Sequence, residues 1–485
     1  MNINNYIYPS LLTLIPMSIA PLFLLIRSKI LQRLLVGLLL SLDLTVLIMI
    51  IRKMPIDEYP GGWLLRGIHL RFDMLSSIYL ILFLSVVGTS LISSFRKNYP
   101  PLFYFLTSIL LATFNTSAIT MDLFNIYVML ELSSIIAYIL ISLKEDWHNL
   151  WASLKYLMIS YFAFTMYLTA VGIIYLTNGS LDITQISSHL PPIIVAMLVI
   201  PILLKAGIFP ISMWLPAAHS LSPTEVSAIL SGSFVKMGSI VLFRLATSGI
   251  LGNINSIIYI IGFLSAIIAG IMAYHEENAK RLLAFSTMSQ MGFVLVGGPL
   301  YGSIHALNHG IAKALLFLTI GDQIEDTGHH SIEALKHSKF PMYRYIFMMI
   351  GALSIMGFPL FSGFISKTLI VHQFQLWGIF LIIASIATAA SMFKVLDIGY
   401  VGKTIKLNMS YTILAILIFI PNIWIAKAIS ASSVTEALAI IFLGYILFKW
   451  YKSRPLPRIL EKLDIMVIEY MLMLLFVWLI LVIQR

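Results

Sequence analysis

"LLKAGIFPISMWLPAAHSLSPTEVSAILSGSFVKMGSI", residues 203–240, is apolar over most of its length, yet it holds Lys205, Glu225 and Lys236, with Pro210 and Pro216 interrupting its first half. Apolar sequence continues on both sides of Lys205, from Pro192 through Ile202 and from Ala206 through Ala218, which predicts a bilayer-crossing helix with a lysine halfway along it. A charge at that depth costs about 2.5 to 3.5 kcal/mol on insertion scales, so it needs a partner, a water-filled cavity or a route to the interface. The prolines free backbone carbonyls at the same depth, which is tolerated only where protein or water covers them. Lys236 repeats the situation mid-span, among Ser231, Gly232, Ser233 and Gly238, small residues that let helices approach closely.

Outward from this stretch the whole chain reads the same way. Hydrophobic residues make up 59%, charged residues 11%, and the mean hydropathy is +0.95, which excludes an ordinary water-soluble domain. Lipid offers backbone amides no partners, and the apolar runs lack the alternation of barrel strands, so the fold class is all-α and polytopic. Spans are expected near residues 5–26, 34–51, 74–95, 101–121, 123–143, 150–177, 192–218, 225–247, 253–274, 282–299, 304–321, 345–371, 376–393, 408–426, 434–448 and 466–484. The opening Met1-Asn2-Ile3-Asn4-Asn5 lacks a charged leader, so the first span is expected to stay as an anchor.

The 31 lysines and arginines set the orientation. With the N-terminus outside, nineteen fall on inner loops and six on outer ones: Arg52, Lys53, Arg66, Arg71, Lys427 and Arg485. That asymmetry predicts both termini outside, and it accounts for the net charge of +10 without a nucleic-acid partner. Cysteine is absent, which excludes disulfides and thiolate-held redox centres from this chain; any redox chemistry would belong to another subunit.

Six basic residues remain inside spans: Lys155, Lys205, Lys236, Arg244, Lys313 and Lys367. Arg244 lies near the end of its span and is expected to snorkel to the headgroups; Lys155 fits either reading. Glu131, midway along "DLFNIYVMLELSSIIAYIL", is a carboxylate at a depth where it needs a cation, and a lysine would serve. In "SIHALNHGIAKALLF", His305, His309 and Lys313 recur at four-residue steps and share one helix stripe. Two histidines so spaced could chelate a metal, but nothing nearby completes a ligand set, and for a b-type haem His219 is a weak second ligand, so no metal or cofactor is expected. Titratable groups at this spacing inside a membrane suit proton relay. "GFPLFSGFISKTLIV" repeats the opening pattern, with Pro359 and Gly363 breaking a span ahead of Lys367, and paired broken helices point to an inverted-repeat transporter.

Six stretches in order, "KAGIFPISMWLP", "PTEVSAILSG", "VKMG", "KRLLAFSTMSQMGF", "LNHGIAKALLF" and "GFPLFSGFISK", resemble the antiporter-like subunits of Mrp-type cation/proton antiporters, respiratory complex I and membrane-bound hydrogenase or sulfane reductase complexes, with wording nearest the Mrp D type. The resemblance covers about residues 100 to 390. It implies about 14 to 16 transmembrane helices. Residues 1–100 would hold helices 1–3, residues 101–250 and 251–395 two inverted five-helix repeats, and residues 396–485 the C-terminal helices. It further implies Glu131 and Lys205 as a coupling ion pair, Lys236 as the central lysine, His305, His309 and Lys313 as the linking relay, and Lys367 as the ionisable residue of the second broken helix. The family's Asp-x-Lys-Arg turn stands here as Asn278-Ala279-Lys280-Arg281, without its acid. A proton-translocating subunit in a cell (plasma) membrane is then expected, with other membrane subunits as partners and sodium a further ion for the complex. A stand-alone solute carrier and a passive scaffold subunit are the competing readings; the first would want a substrate-carboxylate site, and the second loss of the intramembrane Glu and Lys.

Overall fold

The computed structural model describes residues 8–450, apart from 63–66, 145, 187–189, 253–254, 398–399, 403–407 and 426–429, together with 473–474. The first helices are α1 (Leu11–Leu25), α2 (Lys29–Ile51), α3 (Met74–Ser94), α4 (Pro101–Ile119), α5 (Leu123–Ile141) and α6 (Trp147–Asn178). Then come α7 (Pro192–Lys205), α8 (Trp214–Leu221), α9 (Thr224–Ile229), α10 (Val235–Thr247), α11 (Asn255–His275), α12 (Ala279–Gly297) and α13 (Ser303–Thr327). The remainder are α14 (Ile332–Lys336), α15 (Met342–Met356), α16 (Ser362–Gln373), α17 (Gly378–Leu396), α18 (Met409–Ile425) and α19 (Ala431–Trp450). Among the described residues, strands are confined to two small pairs, antiparallel β1 (Ile56–Glu58) with β2 (Leu70–Phe72) and parallel β3 (Lys339–Pro341) with β4 (Tyr400–Gly402).

Ten helical runs among the described residues are long and apolar enough to cross a membrane. Fifteen of the sixteen expected spans fall on described helices, and the last, 466–484, lies outside the described residues but for 473–474. The loops sort to two ends. At one, Lys29 donates to Asn98, Lys97 pairs with Glu225 and Glu325, Lys280 donates to Ser222 O, and Asn278 bridges to Ser331. At the other, Ser10 bonds Glu58, Leu70 bridges to Thr120, and Asp122 to Asp182. The first set carries most of the lysines and arginines that the sequence assigns to inner loops, and is called the basic end below; those at 403, 406 and beyond 450 lie outside the described residues.

The two spans expected to break, 192–218 and 345–371, are broken, whereas α1 carries Pro16 and Pro21 without a break. α7 stops at Lys205 and α15 at Met356, and each ends in the same way: Gly207 and Gly357 adopt φ of +72° and +83°, open only to glycine at little cost. Gly207 N–H reaches Leu204 O and Ile208 N–H reaches Leu203 O, while Gly357 reaches Ser354 O and Phe358 reaches Leu353 O. This paired closure satisfies carbonyls that a lipid-embedded helix end would otherwise leave bare. α7 descends from the end opposite the basic loops and α15 rises from the basic end, so the breaks are entered from opposite faces. The core between them is tight: a β-carbon on Gly238 of α10 would lie 2.5 Å from the Ala206 backbone nitrogen.

Candidate functional site

Lys205 is fully buried in the last turn of α7, where the negative end of the helix dipole favours a cation. Its Nζ donates to Leu130 O at 2.9 Å and Ser134 Oγ at 2.7 Å on α5, with Tyr156 OH on α6 at 3.5 Å. The ammonium also sits 3.8 Å from the Phe234 ring centroid, a desolvated cation–π contact. Glu131 is the charged neighbour of Lys205, but the two make no direct ion pair: Lys205 is held by the residue before Glu131 and the residue three after it, and Glu131 Oε2 is buried without a hydrogen-bond partner. The contact pair expected from the sequence is therefore open here, because the serine and the carbonyl take the ammonium first.

Phe234 closes a five-residue π turn, Leu230–Phe234, that joins α9 to α10 and rotates Lys236 inward. Lys236 Nζ donates to Ser231 O within that turn. From there the hydroxyls of Ser231 and Thr287 meet at 2.8 Å, Thr287 Oγ1 donates to Leu283 O on α12, and Lys313 Nζ donates to the same carbonyl at 3.1 Å. Lys236 and Lys313 thus each end on a main-chain carbonyl, and the Ser231–Thr287 hydroxyl pair lies between the two residues that supply them. The Lys205 ammonium ends on the face of the Phe234 ring, two residues before Lys236 in the chain, and no hydrogen bond among the described residues links the two lysines.

His305, His309 and Lys313 do share one stripe of α13, and all three are buried. His305 is held at both ring nitrogens, Nδ1 to Ser366 Oγ at 2.9 Å and Nε2 to Gln290 Oε1 at 3.2 Å, with Gln290 donating to Thr388. His309 stacks on His305 with ring centres 6.0 Å apart; both of its nitrogens are buried without a partner, within electrostatic reach of Lys236, Lys313 and Lys367. Lys367, the residue after Ser366 on α16, has a buried Nζ without a hydrogen-bond partner, 5.2 Å from the Phe293 ring centre. Its Cδ would meet a β-carbon on Gly357 at 3.3 Å, placing the side chain against the end of α15. It lines a cavity of about 30 Å³, room for a water or two, shared with His372 and with Glu436 of α19. His372 Nε2 and Glu436 Oε2 are 3.0 Å apart and partly exposed at the end opposite the basic loops.

One expectation changes, and one left open is placed. Arg244 does not reach headgroups: it is 3% exposed and forms a bidentate pair with Asp73, the N-cap of α3. Lys155 packs over Trp151 beside a cavity of about 290 Å³. The acid missing from the Asn278 turn is supplied nearby, since Asn278 caps α12 and Glu276 takes Arg281 at 2.9 Å. Sequence reasoning missed Ser134, Tyr156, Thr287, Gln290 and Glu436, and it read Ser231 only as a small residue; the run of polar residues in "FSTMSQMGF" was the one available signal. It also left Lys97 as a loop charge. Lys97 Nζ is clasped by Glu225 at 2.9 Å, Asp322 at 2.8 Å and Glu325 at 2.7 Å, with Tyr99 also donating to Glu225. Burial alone would lower the Lys97 pKa, but the three carboxylates outweigh it and raise it.

Comparison with known proteins matches residues 120–393 to the family described as NADH:quinone oxidoreductase/Mrp antiporter, transmembrane. The chain is 29% identical over 428 residues to NADH-quinone oxidoreductase subunit N of Desulforudis audaxviator, covering 79% of this chain and 85% of that protein. It is 29% identical over 376 residues to the D-type Na(+)/H(+) antiporter subunit of Alkalihalophilus pseudofirmus, covering 71% and 76%. Among solved structures, a chain of an archaeal membrane-bound sulfane sulfur reductase superposes with a TM-score of 0.77 at 21% identity, covering 91% of this chain and 99% of that one. A chain of the Mrp complex from Dietzia gives 0.74 at 21% identity, covering 91% and 93%. At that identity these two establish the fold.

Proposed function

The chain belongs to the NADH:quinone oxidoreductase/Mrp antiporter transmembrane family, and on that premise we propose that it moves protons as one subunit of a larger ion-pumping or antiport complex in the plasma membrane, with both termini outside. Residues 101–250 and 251–395 act as two inverted repeats, a reading supported by half-helices that enter from opposite faces and close with the same hydrogen bonds. The observation that carries the proposal is the layer of buried basic groups, Lys205, Lys236, His305, His309, Lys313 and Lys367, in which Lys236 and Lys313 rest on the carbonyls of Ser231 and Leu283 with the Ser231–Thr287 hydroxyl pair between these two residues.

In this reading Glu131 and Lys205 form a two-position switch. With Lys205 on Leu130 O and Ser134, as here, the carboxylate and ammonium are apart. A swing onto Glu131 would pair them, and the change in field would alter how readily the next lysine holds a proton. Phe234, whose ring the Lys205 ammonium faces at 3.8 Å, acts in this reading as the gate on the way to Lys236. Beyond it the line runs through Lys313, His309 and His305 to Lys367, and His372 with Glu436 forms the exit.

The test is proton flux by the assembled complex in vesicles. Glu131→Gln and Lys205→Ala should each lower it by about a hundredfold or more while assembly is kept. Lys205→Arg should fail as well, because arginine keeps the charge but does not give up its proton. Wild-type flux in Glu131→Gln would end the switch reading.

A further inference from the structure

At the end opposite the basic loops, a cavity of about 540 Å³ opens between the start of α3, the end of α10 and the 298–302 turn. Arg71, Asp73 and Arg244 line it together with apolar side chains that include Ile78, Met74 and Leu300; the last two are 58% and 59% exposed. Arg244 spends its terminal nitrogens on Asp73, Ser76 Oγ and Ala118 O, but its Nε is buried with no acceptor. Arg71 Nε stands 3.7 Å from Asp73 and 4.0 Å from Asp57, and Asp57 is itself held by His69 at 2.9 Å. Within the lining, two guanidinium groups face one carboxylate.

We propose that this cavity binds a phosphoryl anion, the phosphodiester of a phospholipid whose acyl chains run out past Met74 and Leu300. Three observations converge on that class. An unmet N–H on a buried ionised group calls for an acceptor, and the lining offers two guanidinium groups beside one carboxylate, with Asp57 behind Arg71. Guanidinium groups match phosphate oxygens in geometry as well as charge. The lining hydroxyls of Thr247 and Ser248 donate to carbonyls of their own helix, so the donors on offer are cationic and a polyol head would find few partners. The apolar remainder, open to the side where lipid lies, suits chains better than a fully hydrated ion.

The experiment uses the full chain in mild detergent, with phosphatidylglycerol and inorganic phosphate as separate probes. Native mass spectrometry should find phosphatidylglycerol retained by the wild type and lost at least several-fold more readily from Arg71→Gln, which removes one charge from a partly exposed residue, and from Leu300→Trp, which fills the cavity. Displacement by inorganic phosphate, with a matching rise in melting temperature that Arg71→Gln lacks, would support the anion site and assign it to free phosphate. Equal retention by all three proteins, with no effect of phosphate, would overturn the proposal. Arg71 and Leu300 lie outside the proposed relay, so failure of the transport reading leaves this test untouched.

Discussion

Lys367 decides whether the line of buried groups has an outlet. A snorkelling lysine would place its ammonium at the interface, whereas this one is 5% exposed with its Nζ buried and unbonded beside a cavity of about 30 Å³. Lys367→Ala should therefore cut proton flux by about a hundredfold, and Lys367→Glu should keep a measurable fraction, because a carboxyl can still take and release a proton there. Near-normal flux in the alanine variant would make the residue structural. His69, outside the spans, gives a pH test. Burial pulls its pKa down, but hydrogen bonds to Asp182 and Asp57 and their charges prevail, so it is raised above the ordinary 6.5. Its stabilisation is complete below 6.5 and lost as pH climbs through the raised value. The melting-temperature difference between wild type and His69→Gln should thus shrink as the pH rises above 6.5, and a constant difference would refute the link. The ionisable residues were legible in the sequence because a charge inside an apolar run stands out. Their partners were not: Ser134, Ser231 and Thr287 are ordinary helix residues whose role depends on which neighbour packs against them.

The two broken helices show what a pattern can and cannot specify. Proline and glycine in an apolar span announce an interruption, and α7 and α15 stop close to where "KAGIFP" and "MGFP" place it. The π turns at Leu230–Phe234 and Gly298–Gly302 also hold Gly232, Gly298, Pro299 and Gly302, but nothing in that composition tells a π turn from a simple break, since one extra residue per turn is imposed by packing. One consequence can be tested on Gly238. Its missing β-carbon would stand 2.5 Å from Ala206 N and 2.7 Å from Ile202 O, main-chain atoms at the break that cannot turn aside. Gly238→Val should force α10 off α7, cost about 1 to 3 kcal/mol or more, and lower the yield of assembled protein. Gly37→Ala, where nothing lies within 4 Å, is the matched control and should leave the yield unchanged. Equal yields would mean that the break can move.

For the molecule as a whole, the sorting of loops into two ends makes orientation measurable, and a chain without cysteine is suited to it. His337→Cys at the basic end and Gln185→Cys at the other should react with an impermeant maleimide from opposite faces, His337→Cys from inside. Labelling of both from one face would overturn the topology. The same layout constrains how the protein is made. Lys205 donates to Leu130 and Ser134, Lys236 to Ser231, Lys280 to Ser222, Lys313 to Leu283 and Lys394 to Tyr274, so each of these buried or half-buried lysines reaches back to an acceptor earlier in the chain. Lys97, whose carboxylates come later, waits in a loop at the surface. Because a ribosome delivers the chain from its N-terminus, the three of these that lie inside spans, Lys205, Lys236 and Lys313, enter the bilayer after the groups that will receive them. Biogenesis then never has to hold these lysines in lipid without a resting place.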